Sequence, residues 1–185
     1  MKVSVIIPTY NRENILPLTL ESLKMQDFSK DEYEIIIVDN NSTDNTEFVV
    51  RQYIYECNAC VNIRYVKEVR QGDVYARNTG AAIANGVYLF FTDDDANFDS
   101  NWISCMVNIL DEYPQVAMVG SRIAILWDEK PDTWVSQYEY LLGKISMGEK
   151  GYIISSNGFC IPNGSLAIRK SVFLQTCRCH VHQYA

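Results

Sequence analysis

Four short strand-like runs, each followed by a helix-like stretch, constrain this chain more than any other feature. Val3-Ser4-Val5-Ile6-Ile7 is a β-branched run ended by Pro8, the pattern of a strand buried on both faces. Glu13 to Gln26 then carries Ile15, Leu16, Leu20 and Leu23 at helical spacing, with Pro17 tolerable only near the first turn. Glu34 to Asp39 reads as a second buried strand. Ser42 or Thr43 is placed to cap a helix running to about Cys57. Val61 to Lys67 alternates as a third strand, and Asp73 to Asn85 is a helix with an Asp cap, stopped by Asn85-Gly86. Val87 to Phe91 is the fourth buried run, and Asp99 is placed to cap a helix ending near Tyr113-Pro114. Val116 to Val119, Ile123 to Leu126 and Gly164 to Ile168 are later strand candidates, while the chain from Trp127 onward is less periodic. Strands alternating with helices predict an α/β fold with a mostly parallel sheet and helices on both faces. In such a sheet a ligand binds at the carboxyl ends of the strands.

Composition narrows the class. At 185 residues, 48% of them hydrophobic and 21% charged, the chain suits one globular domain with a sizeable core. Its net charge of -7 argues against a general nucleic-acid binder, which carries a basic surplus. No run reaches the roughly 18 apolar residues of a spanning helix. The first apolar run is too short for a signal core and is ended by Pro8. The expectation is a cytoplasmic chain with reduced thiols, with peripheral membrane attachment as a variant.

The chemistry gathers at the strand ends. The second strand delivers Asp39, and the fourth delivers Asp93, Asp94 and Asp95 after Thr92. Three adjacent carboxylates repel one another, and a divalent cation is the simplest counter-charge. Oxygen-only ligands suit Mg2+ or Mn2+; the plain alternative is an acidic turn and helix cap without metal. Arg70-Gln71-Gly72 and Arg77-Asn78 supply positive charge near a helix N-terminus, where a phosphate would be favoured; as the plain alternative, both arginines are solvated surface residues. No G-x-x-x-x-G-K-[ST] segment is present, and no G-x-G-x-x-G follows a strand.

Taken in order, Val3 to Arg12, Glu34 to Asp44, Gly72 to Gly80 with Ala84 to Tyr88, Thr92 to Asp95, and Asn163 to Phe173 resemble the motifs of the family-two glycosyltransferases. These are inverting enzymes with a GT-A fold, a Rossmann-like three-layer α/β/α sandwich. The resemblance covers residues 1 to about 173 and implies a GT-A domain there. It implies a nucleotide-diphosphate sugar donor, most simply UDP-linked, and an acceptor that is a saccharide, a lipid-linked sugar or a protein. It places Pro8, Thr9 and Tyr10 around the base, Asp39 on the uracil imide, Arg77 near the donor and Asp93 at the ribose. Asp94 and Asp95, in the family's DXD-type acidic motif, would hold Mn2+ or Mg2+. The family often has Asp where Thr92 stands.

The family's general base lies downstream of the Arg169 to Phe173 stretch. Residues 174–185 contain no acid, so the catalytic base is left unassigned. The expectation for this tail is a truncated or frame-shifted end. Its rival for the whole chain is a noncatalytic nucleotide-sugar binder. A nucleotidyltransferase is a third, weaker reading. Cys177, Cys179, His180 and His182, with Cys57 and Cys60, have metal-ligand chemistry, but not the spacing of a usual zinc finger. Trp127, Trp134, Tyr138 and Tyr140 suit either sugar stacking or packing. Oligomeric state is open, a homodimer among the options.

Overall fold

The computed structural model describes residues 1–57, 61–127, 129–145 and 164–176. Cys60, Asn163, Cys177, Cys179, His180 and His182 lie outside the described residues.

The strands are β1 (Val3–Thr9), β2 (Tyr33–Asp39), β3 (Asn62–Lys67), β4 (Tyr88–Thr92), β5 (Met118–Gly120) and β6 (Ser165–Arg169). The helices are α1 (Leu16–Lys24), α2 (Thr46–Cys57), α3 (Asp73–Ile83), α4 (Trp102–Glu112) and α5 (Lys170–Thr176). The sheet order is β3-β2-β1-β4-β6-β5. β1 pairs in parallel with β2 and β4, and β2 with β3. β6 runs antiparallel between β4 and β5. The expected mixed α/β sheet is therefore present, mostly parallel.

Strand parity explains the two helical layers. Val3, Val5 and Ile7 share one core with Ile35, Ile37, Phe90 and the apolar stripes of α1 and α4. Ile6, Ile36, Val38, Leu89 and Phe91 face the other way, onto Ala76, Ala81 and Ala84 beside α3 and onto Phe173 of α5. β1 and β2 are buried along their whole lengths, as continuous apolar runs require. α5 itself runs on to Thr176.

Several terminal details differ from expectation. Pro17 does fall in the first turn of α1. Asp44, not Ser42 or Thr43, opens α2: its Oδ1 accepts from the Thr46 backbone N–H and hydroxyl. Asp99 offers α4 a backbone carbonyl, to the Trp102 N–H. The free Ile103 N–H donates instead to the Gln26 side chain, 3.0 Å away. Asp73 is the first residue of α3 rather than its cap; Gly72 takes that place at φ 137°, where glycine avoids strain. Ile123 to Leu126 is not a strand: Ile123 makes one isolated antiparallel bridge to Ile145. Arg169 donates to backbone carbonyls of Leu110, Tyr113 and Val116, and Lys170 Nζ donates to Ala84 O at 2.6 Å. Cations here close helix C-terminal ends, where carbonyls lack partners.

A buried acid ties the amino ends of the strands together. Glu34 accepts from Ser4 Oγ and Asn85 N, both at 2.7 Å, and from Arg64 at 3.1 Å. Burial alone would raise its pKa; the bonds from Ser4, Asn85 and Arg64 outweigh that and hold it below the ordinary value. Ser4 Oγ in turn accepts from Gly86 N. At Gly86 a Cβ would lie 2.5 Å from Ser4 N, so the Asn85-Gly86 stop also lets two backbones touch.

Two predictions follow from this packing. Glu34→Gln leaves Arg64 without its charge partner and destabilises the fold by roughly 1–3 kcal/mol. The wild-type contribution is present above the ordinary glutamate pKa of about 4.3. It is lost as pH falls from there through the depressed native value, so denaturation curves for wild type and variant converge in acid. A gap that stays constant with pH contradicts this. At Gly80 an added Cβ would meet Ile6 Cγ2 at 2.5 Å and Val38 Cγ2 at 3.1 Å. Overpacking costs about 1–3 kcal/mol and the helix-propensity gain returns about 1, so Gly80→Ala lowers the melting temperature by a few degrees.

Candidate active site

Parallel pairing sets the carboxyl ends of β1, β2 and β4 along one rim. Thr9 lies in register with Asp39, and β4 runs past Ile6 to its own acids. A cleft of about 450 Å³ opens there. Pro8, Thr9, Tyr10 and Arg12 line it from the end of β1, and Asn40 from the end of β2. Gln71, Gly72 and Asp73 line it from the start of α3, and Asp93, Asp94 and Asp95 from the end of β4.

The acids are not equivalent. Asp94 is buried; its Oδ2 accepts from Thr9 Oγ1 at 2.7 Å. Its backbone carbonyl accepts from Thr19 of α1. Burial raises its pKa, while Thr9 and the Arg12 charge oppose the rise. Asp95 is open to solvent, with its side chain 55% exposed. Asp93 is held by Arg77, whose Nη2 lies 2.8 Å from Asp93 Oδ1 and whose Nε lies 2.7 Å from Asp73 Oδ2. Arg77 is itself buried, so it is not a surface arginine. Arg70 is the exposed one, spent on Glu68. The mutual repulsion of the three acids is thus relieved by two guanidinium groups, Arg77 at Asp93 and Arg12 at Asp94 and Asp95.

Of the expected set, Arg77 and Asp39 do not line the cleft; Asp39 is fully buried. Its Oδ2 accepts from Tyr65 at 2.6 Å and its Oδ1 from Ser42 N at 2.8 Å. Burial, reinforced by Asp39, raises the Tyr65 pKa, so that hydroxyl stays a donor. Thr92 is buried and donates to Gly164 O at 3.0 Å.

Two residues that composition did not single out organise the walls. Asn40 donates to the carbonyls of Glu68 and Arg70 and accepts from Gly72 N at 2.6 Å, which fixes the loop before α3. Within that loop the Glu68 carboxylate accepts from Arg70 and Thr79, and the Arg70 bonds hold its pKa at about 2. Arg12 is the other. Its loop is laced to the next strand's loop: Asn11 N donates to Ser42 Oγ, Arg12 N to Thr46 Oγ1 and Glu13 N to Asp44, while Thr43 N and Asn45 N donate back to Asn11 and Glu13. The signal was the polar run Asn40-Asn41-Ser42-Thr43-Asp44 facing Asn11-Arg12-Glu13, but the pairing itself is tertiary.

Among the described residues no three His, Cys, Asp or Glu side chains form a ready metal cage. The donor chemistry nevertheless fits Mg2+ or Mn2+, which bind through one or two carboxylates plus phosphate oxygens. Asp94 and Asp95 are such carboxylates, side by side at the cleft. Cys57 is buried at the end of α2. Trp134, Tyr138 and Tyr140 are largely exposed on short 3-10 turns rather than packed on the sheet, and Trp127 Nε1 donates to Glu139. Among the described residues no helix is long and apolar enough to cross a membrane.

Known proteins agree with this architecture. The sequence model of glycosyl transferase family 2 matches residues 4–175. Poly(ribitol-phosphate) beta-N-acetylglucosaminyltransferase TarS of Staphylococcus aureus is 34% identical over 113 residues, 61% of this chain and 19% of that protein. Chondroitin synthase of Escherichia coli is 32% identical over 157 residues, 84% of this chain and 21% of that protein. The S. aureus TarS 1–349 structure in complex with UDP superposes with a TM-score of 0.74 at 23% identity, over 96% of this chain and 49% of that one. Mannosyltransferase PcManGT of Pyrobaculum calidifontis, in complex with GDP-Man and Mn2+, gives 0.70 at 24% identity, over 94% of this chain and 46% of that one. The chain therefore spans about half the length of these solved proteins and less of the curated ones. With its fold, its rim of acids and a family match over nearly its whole length, the chain belongs to glycosyl transferase family 2 and has the GT-A fold.

Proposed function

We propose that residues 1–173 form the nucleotide-sugar-binding domain of a metal-assisted, inverting glycosyltransferase. The donor is a UDP-linked sugar, and the acceptor is a saccharide, a lipid-linked sugar or a protein. The observation that carries this reading is the cleft at the strand ends, where Thr9, Gly72 and the Asp93–Asp95 run converge. Solved neighbours in complex with UDP, UDP-GlcNAc and GDP-Man support a nucleotide-sugar ligand.

In this reading the chain's own residues divide the donor among them. Pro8, Thr9 and Tyr10 hold the base, with Tyr10 half-exposed at the mouth. Asp39 is the imide partner beneath it; a carboxylate oxygen has two lone pairs, so it takes an N–H in addition to the one it already accepts. Asp93, pinned by Arg77, meets the ribose. The first turn of α3 presents backbone N–H groups toward the phosphates. Asp94 and Asp95 hold Mn2+ or Mg2+, and Thr9 orients Asp94 by its hydrogen bond. The bound cation supplies Lewis-acid neutralisation of the leaving nucleoside diphosphate.

The measurement is thermal denaturation with nucleotide and metal. UDP with Mn2+ raises the melting temperature, by about 2.7 kcal/mol of stabilisation at a hundredfold excess over Kd. UDP without metal gives a much smaller rise. Asp94→Ala and Asp95→Asn both remove the metal-dependent part; the second keeps the buried Thr9 contact intact and guards against a folding artefact. No shift with any nucleoside diphosphate, with Mn2+ present, sinks the reading.

A further inference from the structure

The charge count of the cleft is uneven. Among the described residues that line it, four are carboxylates (Asp73, Asp93, Asp94 and Asp95) and one, Arg12, is a cation. The second arginine of the rim, Arg77, is fixed: it is buried and bonded to Asp73 and Asp93. Arg12 is different. Its Nε lies 3.3 Å from Asp94 Oδ1 and its Nη2 lies 3.8 Å from Asp95 Oδ2, with its side chain 40% exposed. These contacts are ion pairs with long separations rather than close bidentate bonds. Its backbone is anchored, by the Arg12 N–H to Thr46 Oγ1 at 2.9 Å, while its side chain is long and free to re-aim.

We propose that Arg12 and a divalent cation are alternative counter-ions of the Asp94–Asp95 pair. The guanidinium offsets one of the pair's two negative charges; a divalent cation bound there would offset both and displace the guanidinium into the cleft, where it becomes an anion contact for the diphosphate. Two positive groups on one carboxylate pair repel each other, which favours that exchange. A guanidinium released beside a phosphate finds the partner that suits its planar fork. Arg12 is thus a positioning and specificity residue: it resists loading with bare metal and rewards metal that arrives with nucleotide. This rests on the donor-and-metal reading above.

The test uses the full chain, with Mn2+ as the probe. Mn2+ binding is followed by the electron paramagnetic resonance signal of the free ion, and UDP binding by calorimetry at saturating Mn2+. Arg12→Gln is expected to bind Mn2+ alone roughly two- to tenfold more tightly than wild type, and UDP in saturating Mn2+ weaker by a similar factor. Arg12→Lys keeps the charge but not the fork, so its Mn2+ affinity stays near wild type while its UDP affinity falls part of the way. A merely structural defect would not tighten Mn2+ binding. If wild type binds Mn2+ with UDP and Arg12→Gln binds bare Mn2+ no more tightly, this inference is overturned and the donor reading stands. If no protein binds Mn2+ even with UDP present, the donor reading fails and takes this inference with it.

Discussion

The parallel pairing of β1 with β2 on one side and β4 on the other is the constraint on which the site depends. Because all three strands run the same way, their carboxyl ends reach one rim. Each strand then needs only a short polar extension to contribute a side chain. The apolar runs do the opposite work, since strands buried on both faces admit almost no polar residue along their length. Chemistry is therefore pushed to the ends. Glu34, an acid at the amino end of β2, is tolerated because four hydrogen bonds from Ser4, Arg64 and Asn85 surround it.

At the rim the opposite problem arises, an excess of negative charge in a partly desolvated space. The molecule answers it with two arginines of unlike character. Arg77 is buried and bridges Asp73 on one wall to Asp93 on the other, so it sets the spacing of the cleft. Arg12 is partly exposed and balances the remaining pair. Asn40 and Glu68 hold the opposite wall by neutral and charged hydrogen bonds to the backbone of residues 68 to 72. Hydrogen-bonded walls with a partly exposed cation beside them suit a ligand whose own charge must be matched on arrival.

Much of the fold was legible in the order of residues. The four strand-like runs became β1 to β4 with small shifts at their ends, and Pro17 marked the first turn of α1. Asp93, Asp94 and Asp95 followed directly from a buried run entering an acidic turn. What was not legible depends on contacts between distant segments. Arg12 and Asn40 lie in polar loops like many others, and only the pairing of β1 with β2 brings their partners within reach. The partner of the α4 start is hidden for the same reason: Gln26, two residues beyond α1, satisfies the Ile103 N–H of α4 from 77 positions away. The antiparallel sense of β6 was also hidden, since strand direction leaves no mark on composition. Nor does the order of residues show the partners that Asp39 has in the fold, Tyr65 from β3 and the Ser42 backbone.

The lacing between residues 11–13 and 42–46 carries a consequence for how the molecule assembles. Its bonds join positions more than thirty residues apart and use short side chains with little reach. They form only when β1 and β2 are paired in their final alignment. A slip of one position would turn Asp39 to the opposite side of the sheet and pull the two loops out of step. The rim is therefore correct only when the register of the sheet is correct. Its closure works as a checksum on the sheet beneath it: a chain that has collapsed with the wrong alignment keeps its apolar interior but has no cleft.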